Sequence, residues 1–352
     1  MLASFGDALA ATSSRRPLRF ATVSEDGLLS VFDAEGGGLL HQYTRPTHLA
    51  VQWTCLAWWQ PPETSTLGQL ALGSDSGLIA VWDLAVGQIS HELRGHTQQV
   101  NDVAFERSGR TLLTCSNDRQ VCVWNTSSGE LLHNFATGQA AVQRLLPSSS
   151  GEHVLLGGTI IRVMKRDTWK RLGKVPGHAS KVACLCFSPD DKLAASAADD
   201  RHVSIWRVAP SALADDAAEP CVQTLALETR VAQLAFLRPD GSGDVDAYTL
   251  LTLTSSGVVG IWRFSSAAAL HKKSSKKKKL GAASGGSGAM GGGAMPLSVA
   301  PACTVRVESA SADSATSVED DPQRIFYASF CGPSSILVAH GSQVYKIDRL
   351  SP

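Results

Sequence analysis

The chain has 352 residues, 43% hydrophobic and 18% charged, with 32 basic against 32 acidic side chains. This is the balance of an ordinary globular protein, and it excludes a collagen-like or wholly disordered chain. No apolar run approaches the roughly 20 residues that span a bilayer, and the N-terminal MLASFGDALAATSSRRP lacks the regions of a secretory signal, so neither a membrane span nor an export leader is expected.

In chain order, the first elements are short β-runs at residues 2–5, 20–23, 28–32 and 39–43. The clearest unit lies between Gly95 and Asn125, GHTQQVNDVAFERSGRTLLTCSNDRQVCVWN. Its apolar runs at 100–105, 111–115 and 121–124 are separated by Ser108-Gly109 and Asn117-Asp118, which reads as three strands of a meander. The unit recurs from Gly177-His178 to Trp206-Arg207. His96 precedes Asp118 by 22 positions and His178 precedes Asp200 by 22; each Asp stands six before its Trp, at Trp124 and Trp206. Thr114 and Ser196 each stand four before their Asp.

Aligned on the closing position of each unit, the chain shows Phe32, Trp82, Trp124, Met164, Trp206, Trp262 and Tyr345, at steps of 50, 42, 40, 42, 56 and 83. Loops at 61–69, 209–220 and 238–246 and a low-complexity stretch at 265–302 account for the long steps. Seven closing strands predict an all-β fold, a seven-bladed β-propeller with four strands per blade. Residues 1–264 supply blades 1–6. Residues 265–302 are a disordered Lys/Gly/Ser/Ala insertion. Residues 303–352 supply the outer strand of blade 6 and blade 7 of the same propeller. Residues 2–5 are needed as the innermost strand of blade 1, and only five residues follow Ile347. A three-stranded last blade is therefore expected, its edge at 344–347 completed by downstream chain or a partner's strand.

The recurring polar residues predict a buried chain. An Asp in a tight turn accepts from His, His meets a hydroxyl on the middle strand, and the hydroxyl accepts from the Trp indole. Burial demands such pairing, because an unsatisfied group costs about 1–3 kcal/mol. His96, Thr114, Asp118 and Trp124 form one predicted tetrad, and His178, Ser196, Asp200 and Trp206 the other. These residues resemble the structural tetrads of WD-repeat proteins. Elsewhere the turn position holds Asp26, Ser76, Gly158, Ser256 and Ala339.

A narrower resemblance rests on His41-Gln42-Tyr43, His48-Leu49, Thr54-Cys55-Leu56-Ala57-Trp58, Leu70-Ala71-Leu72-Gly73, Gly157-Gly158-Thr159-Ile160, Gly177-His178-Ala179 and Ala328-Ser329-Phe330-Cys331. Together these are similar to the N-terminal propeller of the WD repeat-containing protein 43, or U-three-associated protein five, family, from about Phe20 to Leu350. The resemblance implies a nucleolar, non-enzymatic scaffold of the small-subunit processome, in pre-rRNA processing and linked rRNA transcription. It implies other WD-repeat processome subunits, pre-ribosomal RNA and the U-three snoRNP as partners. That family also carries a C-terminal helical domain that joins sister subunits, whereas this chain ends before any such domain. A generic WD-repeat adaptor, such as a ubiquitin-ligase substrate receptor or a signalling scaffold, is the alternative.

Other chemistries find little support in the residues. Thr114 and Ser196 lie mid-strand, with no Gly-x-Ser-x-Gly elbow, so the His/hydroxyl/Asp sets read as structural rather than catalytic and no enzyme is expected. There is no phosphate-binding loop, no dinucleotide fingerprint and no zinc-spaced Cys/His set, so no cofactor, no metal and no small-molecule substrate are expected. Cys55, Cys115, Cys122, Cys184, Cys186 and Cys331 read as reduced core thiols. The one strong electrostatic feature is Lys272, Lys273, Lys276, Lys277, Lys278 and Lys279, which leaves the rest of the chain mildly acidic. Such a run reads as a nuclear import signal or an RNA-backbone contact, with an inert linker as the alternative.

Overall fold

The computed structural model describes residues 2–4, 19–23, 28–33, 38–43, 51–61, 67–138, 140–175, 178–208, 221–237, 247–256, 258–265, 303–306, 326–330, 335–340 and 343–348. All regular structure among them is β-strand, arranged as seven antiparallel sheets.

Blade 1 comprises β1 (Leu2–Ser4), β2 (Arg19–Val23), β3 (Leu29–Asp33) and β4 (Leu39–Tyr43). Blade 2 comprises β5 (Trp53–Trp59), β6 (Gln69–Ser74), β7 (Leu78–Asp83) and β8 (Gln88–Arg94). Blade 3 comprises β9 (Val100–Phe105), β10 (Thr111–Ser116), β11 (Gln120–Asn125) and β12 (Leu131–Ala136). Blade 4 comprises β13 (Arg144–Pro147), β14 (His153–Gly157), β15 (Ile161–Lys165) and β16 (Arg171–Val175). Blade 5 comprises β17 (Val182–Phe187), β18 (Leu193–Ala198), β19 (His202–Arg207) and β20 (Cys221–Ala226). Blade 6 comprises β21 (Val231–Leu237), β22 (Ala247–Thr254), β23 (Val258–Ser265) and β24 (Cys303–Arg306). Blade 7 has three strands among the described residues, β25 (Phe326–Phe330), β26 (Ser335–His340) and β27 (Gln343–Asp348).

The first strands of successive blades neighbour one another, and β25 meets β1, which closes the ring. Residues 2–4 pair with β2, so this described segment serves blade 1, and among the described residues β27 pairs with β26 alone. One expectation needs correction. His340 pairs directly with Gln343, so the hairpin of blade 7 is tighter than that of blade 3. Counted from the paired residues, Ile347 opposite Ile336 holds the place that Trp124 holds opposite Leu112, and Tyr345 does not.

The core is a set of apolar seams between blades rather than one nucleus. Ala21, Val31, Leu70, Leu72 and Trp82 join blades 1 and 2. Ile79, Val81, Val103, Leu112 and Trp124 join blades 2 and 3. Comparable seams join blades 3 to 4, 4 to 5 and 5 to 6. Both faces of a middle strand meet a neighbour, so β10 and β18 are buried along their whole length and carry continuous small or apolar runs. Outer strands β4 and β12 are mostly exposed. One seam depends on a glycine: Gly109 has φ +69°, and a Cβ there would lie 2.0 Å from the Trp59 ring.

Candidate functional site

The structure assembles both predicted tetrads. In blade 3, His96 lies just ahead of β9, Thr114 on β10, Asp118 in the β10–β11 turn and Trp124 on β11. Asp118 Oδ2 lies 2.9 Å from His96 Nδ1, and His96 Nε2 lies 2.9 Å from Thr114 Oγ1. Trp124 Nε1–H donates to the same hydroxyl at 3.0 Å. With Nδ1–H donating to the carboxylate, Nε2 accepts the Thr114 proton, and every polar atom of the chain is satisfied. The hydroxyl is sealed from solvent and engaged on both sides.

Burial alone would raise the Asp118 carboxyl. The amides of Thr97 (3.0 Å) and Gln120 (2.8 Å), with His96, outweigh it and hold the carboxyl below its ordinary value. Blade 5 repeats the arrangement. His178 Nδ1 lies 3.1 Å from Asp200 Oδ2, His178 Nε2 lies 2.9 Å from Ser196 Oγ, and Trp206 Nε1–H donates to Ser196 Oγ at 3.3 Å. Burial pulls the His178 imidazole below its usual range, with Asp200 opposing, so the ring is held neutral.

Other blades keep fragments. Trp262 Nε1–H donates to Thr252 Oγ1 (3.0 Å) in blade 6. Blade 2 places Leu72 at the hydroxyl position opposite Ala80, and the buried Trp82 Nε1 has no hydrogen-bond partner among the described residues. Blade 4 places Leu156 and Met164 at the hydroxyl and indole positions.

A second polar system, invisible to the spacing argument, runs between blades on the innermost strands. Thr54 Oγ1–H reaches the Val100 carbonyl in blade 3 (2.5 Å). Asn101 Nδ2–H donates to the Val142 carbonyl ahead of β13 (2.8 Å). Arg144 Nε–H donates to the Ala183 carbonyl in blade 5 (2.6 Å). Thr54, Asn101 and Ala183 each sit at a bulge, which frees their groups from the ladder. Asp102 stands 3.9 Å from Arg144 and accepts the Leu145 amide (2.9 Å). Burial raises the Asp102 carboxyl, partly offset by Arg144. The available signal was a polar residue inside otherwise apolar runs, in WTCLAWW and VNDVAF.

Cys55, Cys115, Cys122 and Cys184 are buried free thiols, and burial pushes Cys55, Cys122 and Cys184 up to about 12. Among the described residues no group of three His, Cys, Asp or Glu is placed to hold a metal. Lys272, Lys273, Lys276, Lys277, Lys278 and Lys279 lie outside the described residues, as do Asp26 and Cys331.

A ring of seven antiparallel sheets, six of them four-stranded among the described residues, with two complete Asp–His–hydroxyl–Trp chains is a β-propeller of the WD-repeat type. The profile of the "WD domain, G-beta repeat" family matches residues 87–125 and 169–207, the two stretches that end in the complete tetrads. Human WD repeat-containing protein 43 is 26% identical over 223 residues, 54% of this chain and 33% of that protein. Eukaryotic translation initiation factor 3 subunit I of Bombyx mori is 30% identical over 168 residues, 43% of this chain and 49% of that protein. Cell division cycle 20.1, cofactor of APC complex, of Arabidopsis thaliana is 30% identical over 154 residues, 40% of this chain and 33% of that protein. The chain thus spans a third to a half of the length of these relatives. A chain in the crystal structure of the mitotic checkpoint complex superposes with a TM-score of 0.56 at 25% identity, covering 71% of this chain and 72% of that one.

Proposed function

We propose that this propeller is a non-enzymatic scaffold of nucleolar small-subunit ribosome assembly, presenting its blades to other WD-repeat subunits and touching pre-ribosomal RNA. The observation that carries this reading is the similarity to WD repeat-containing protein 43 across 54% of the chain. The His41–Trp58 path between blades 1 and 2 supports it. The scaffold role draws on the tetrads: their hydroxyls are buried and doubly hydrogen-bonded, an arrangement that stabilises a strand rather than exposing a nucleophile. The Lys272–Lys279 run would serve as import signal or RNA-backbone contact.

An epitope-tagged chain expressed in cells tests the reading. Nucleolar enrichment and recovery of U-three RNA are expected. Exclusion from the nucleus, with no such RNA recovered, overturns it. The likeness to the cofactor of the APC complex and to a chain of the mitotic checkpoint complex favours a second reading, a ubiquitin-ligase adaptor or signalling scaffold. Recovery of ligase subunits in place of ribosomal assembly factors would select that one.

A further inference from the structure

Blade 4 departs from its sister blades at the rim. Its outer strands and their connection read IRVMKRDTWKRLGK, with Arg162, Lys165, Arg166, Lys170, Arg171 and Lys174 against the single acid Asp167. The sheet register shows how unusual this is within the ring. Arg162 pairs directly with Lys174, whereas the same rung pairs Ser30 with Gln42, Ala80 with Glu92, Cys122 with Asn134 and Ser204 with Thr224. Arg171, opposite Met164, replaces Leu39, Ile89, Leu131 and Cys221. Facing residues on paired strands share one side of the sheet, so like charges there repel.

That side is the seam with blade 3. Met164 lies in the apolar cluster that includes Leu113 and Val121 of blade 3, so Arg162, two residues before it, and the residues opposite both turn the same way. Burial pulls the Arg162 guanidinium below its ordinary value, and the like charge of Arg171 pulls in the same direction. Among the described residues no carboxylate lies within ion-pair distance of Arg162, Lys165, Lys170, Arg171 or Lys174. Glu106, the nearby half-buried acid, is committed to Arg166.

An aromatic group closes the same seam. The amides of Gly87, Gly129 and Trp169 make one and the same turn bond, to Asp83, Asn125 and Lys165 (2.8–2.9 Å). The first two positions are glycines at φ +75° and +73°, and the third is a tryptophan at φ +52°. A bulky side chain in that region is strained, and strain of this kind concentrates at functional sites. Trp169 stacks on the exposed His133 (centroids 5.9 Å, 22°) and packs on Phe135 (5.5 Å), with the Arg166 guanidinium 5.5 Å from its ring.

We propose that the rim between blades 3 and 4 is a binding site for single-stranded RNA, with Arg162, Arg171 and Lys174 meeting phosphates and the Trp169–His133 stack meeting bases. Cations with no carboxylate partner among the described residues, beside a braced aromatic platform, are the two components that sequence-tolerant single-strand binding uses. An acidic peptide would match the cations but has no use for the rings. The site is separate from the Lys272–Lys279 run and does not depend on the ribosomal reading, since it concerns RNA binding by the isolated full chain.

The test is fluorescence anisotropy with a labelled oligouridylate of about 12 nucleotides, over roughly 50 to 200 mM salt. Changing Arg162, Arg171 and Lys174 together to Gln should weaken binding at least about tenfold and flatten the slope of log affinity against log salt by about 2, since each single-strand phosphate contact accounts for ~0.7. Trp169→Gly suits the backbone of that turn; it should weaken binding about tenfold while leaving the salt slope unchanged. Both effects should persist when the six lysines of the insertion are also changed to Gln. Should the triple variant misfold, Arg171→Gln alone, at an exposed position, must lower the slope by about 0.7. Failure of the parent to bind the oligonucleotide, binding by the variants as tight as the parent's, or tighter binding of an oligoglutamate peptide run in parallel overturns the proposal.

Discussion

Replacing Asp118 with Ala removes the terminal acceptor of the blade 3 chain. The carboxylate takes hydrogen bonds from His96 Nδ1 (2.9 Å), the Thr97 amide (3.0 Å) and the Gln120 amide (2.8 Å). The His96 side chain is 0% exposed, so no water replaces the lost acceptor, and an unpaired ring N–H costs about 1–3 kcal/mol. The two amides lie nearer solvent and add about 0.5–1 kcal/mol between them. The total is about 1.5–4 kcal/mol. At about 2 °C per kcal/mol for a chain of this size, calorimetry should read a fall in Tm of roughly 3–8 °C. Ser76→Ala is the internal control. Ser76 holds the same turn position in blade 2 and is exposed; the buried Ser74 hydroxyl that it meets (3.0 Å) keeps its bonds to the Leu78 backbone when Ser76 is truncated. Its Tm should move by no more than about 1 °C. An Asp118→Ala protein that melts with the parent, or no lower than Ser76→Ala, refutes the argument that the buried imidazole depends on this carboxylate.

Acid should destabilise the ring in two stages. His178, Asp118 and Asp200 all have folded-state values below their ordinary ones of 6.5, 3.8 and 3.8, so the unfolded chain takes up protons first. The contribution of these three groups is complete above pH 6.5, declines as pH falls below it through His178, and declines again below 3.8; urea unfolding across that range checks the sign. Arg144→Met removes the bond to Ala183 and leaves Asp102 without its cation, for a loss of about 1–3 kcal/mol given the partial exposure of both groups. Adding Asp102→Asn should recover part of it in a double-mutant cycle, and full additivity would argue against the pair. Changing Lys276, Lys277, Lys278 and Lys279 to Ala should leave Tm unchanged while reducing nuclear entry or RNA affinity, read by imaging and by binding across salt. Amides of β27 should exchange before those of β10 in hydrogen exchange, because β27 pairs on one side among the described residues whereas β10 is buried on both faces. Equal protection of the two would overturn that ordering.

What the sequence disclosed was what depends on local spacing. The tetrads were readable because four residue types at fixed intervals must meet once three strands fold back on one another. The ring itself followed from the closing strands. In blade 7 the intervals misled: a tighter hairpin put Ile347 in the closing position, and the aromatic Tyr345, two residues earlier, had drawn the alignment to itself. The inter-blade bonds of Thr54, Asn101 and Arg144 were not readable, because each joins residues more than 35 positions apart through bulges that leave no periodic trace. Trp169 escaped notice for a related reason. A tryptophan in a turn looks like any surface aromatic until the structure places it where two sister blades hold glycine.

The two polar systems divide the work of holding the ring, and the division bears on function. Tetrads secure blades 3 and 5 from within. Blade 4 has no hydroxyl, imidazole or indole to form one, with Leu156 and Met164 in those places. It is secured from outside instead: Asn101 reaches into it from blade 3, Arg144 reaches out of it to blade 5, and Arg166 binds back to Glu106 in blade 3. A blade held by its neighbours does not depend on a tetrad of its own. Its third and fourth strands carry cations that the same rungs of its sister blades lack, with Arg162 and Lys174 on one rung. The cost of two like charges side by side falls on a blade whose position is fixed by bonds elsewhere. Removing the external supports should therefore harm blade 4 more than its sisters. In hydrogen exchange, Arg144→Met should raise opening at Val154 to Leu156 more than at Leu112 to Thr114, where the tetrad persists. Uniform loss of protection across both blades would show that blade 4 is not specially dependent on its neighbours.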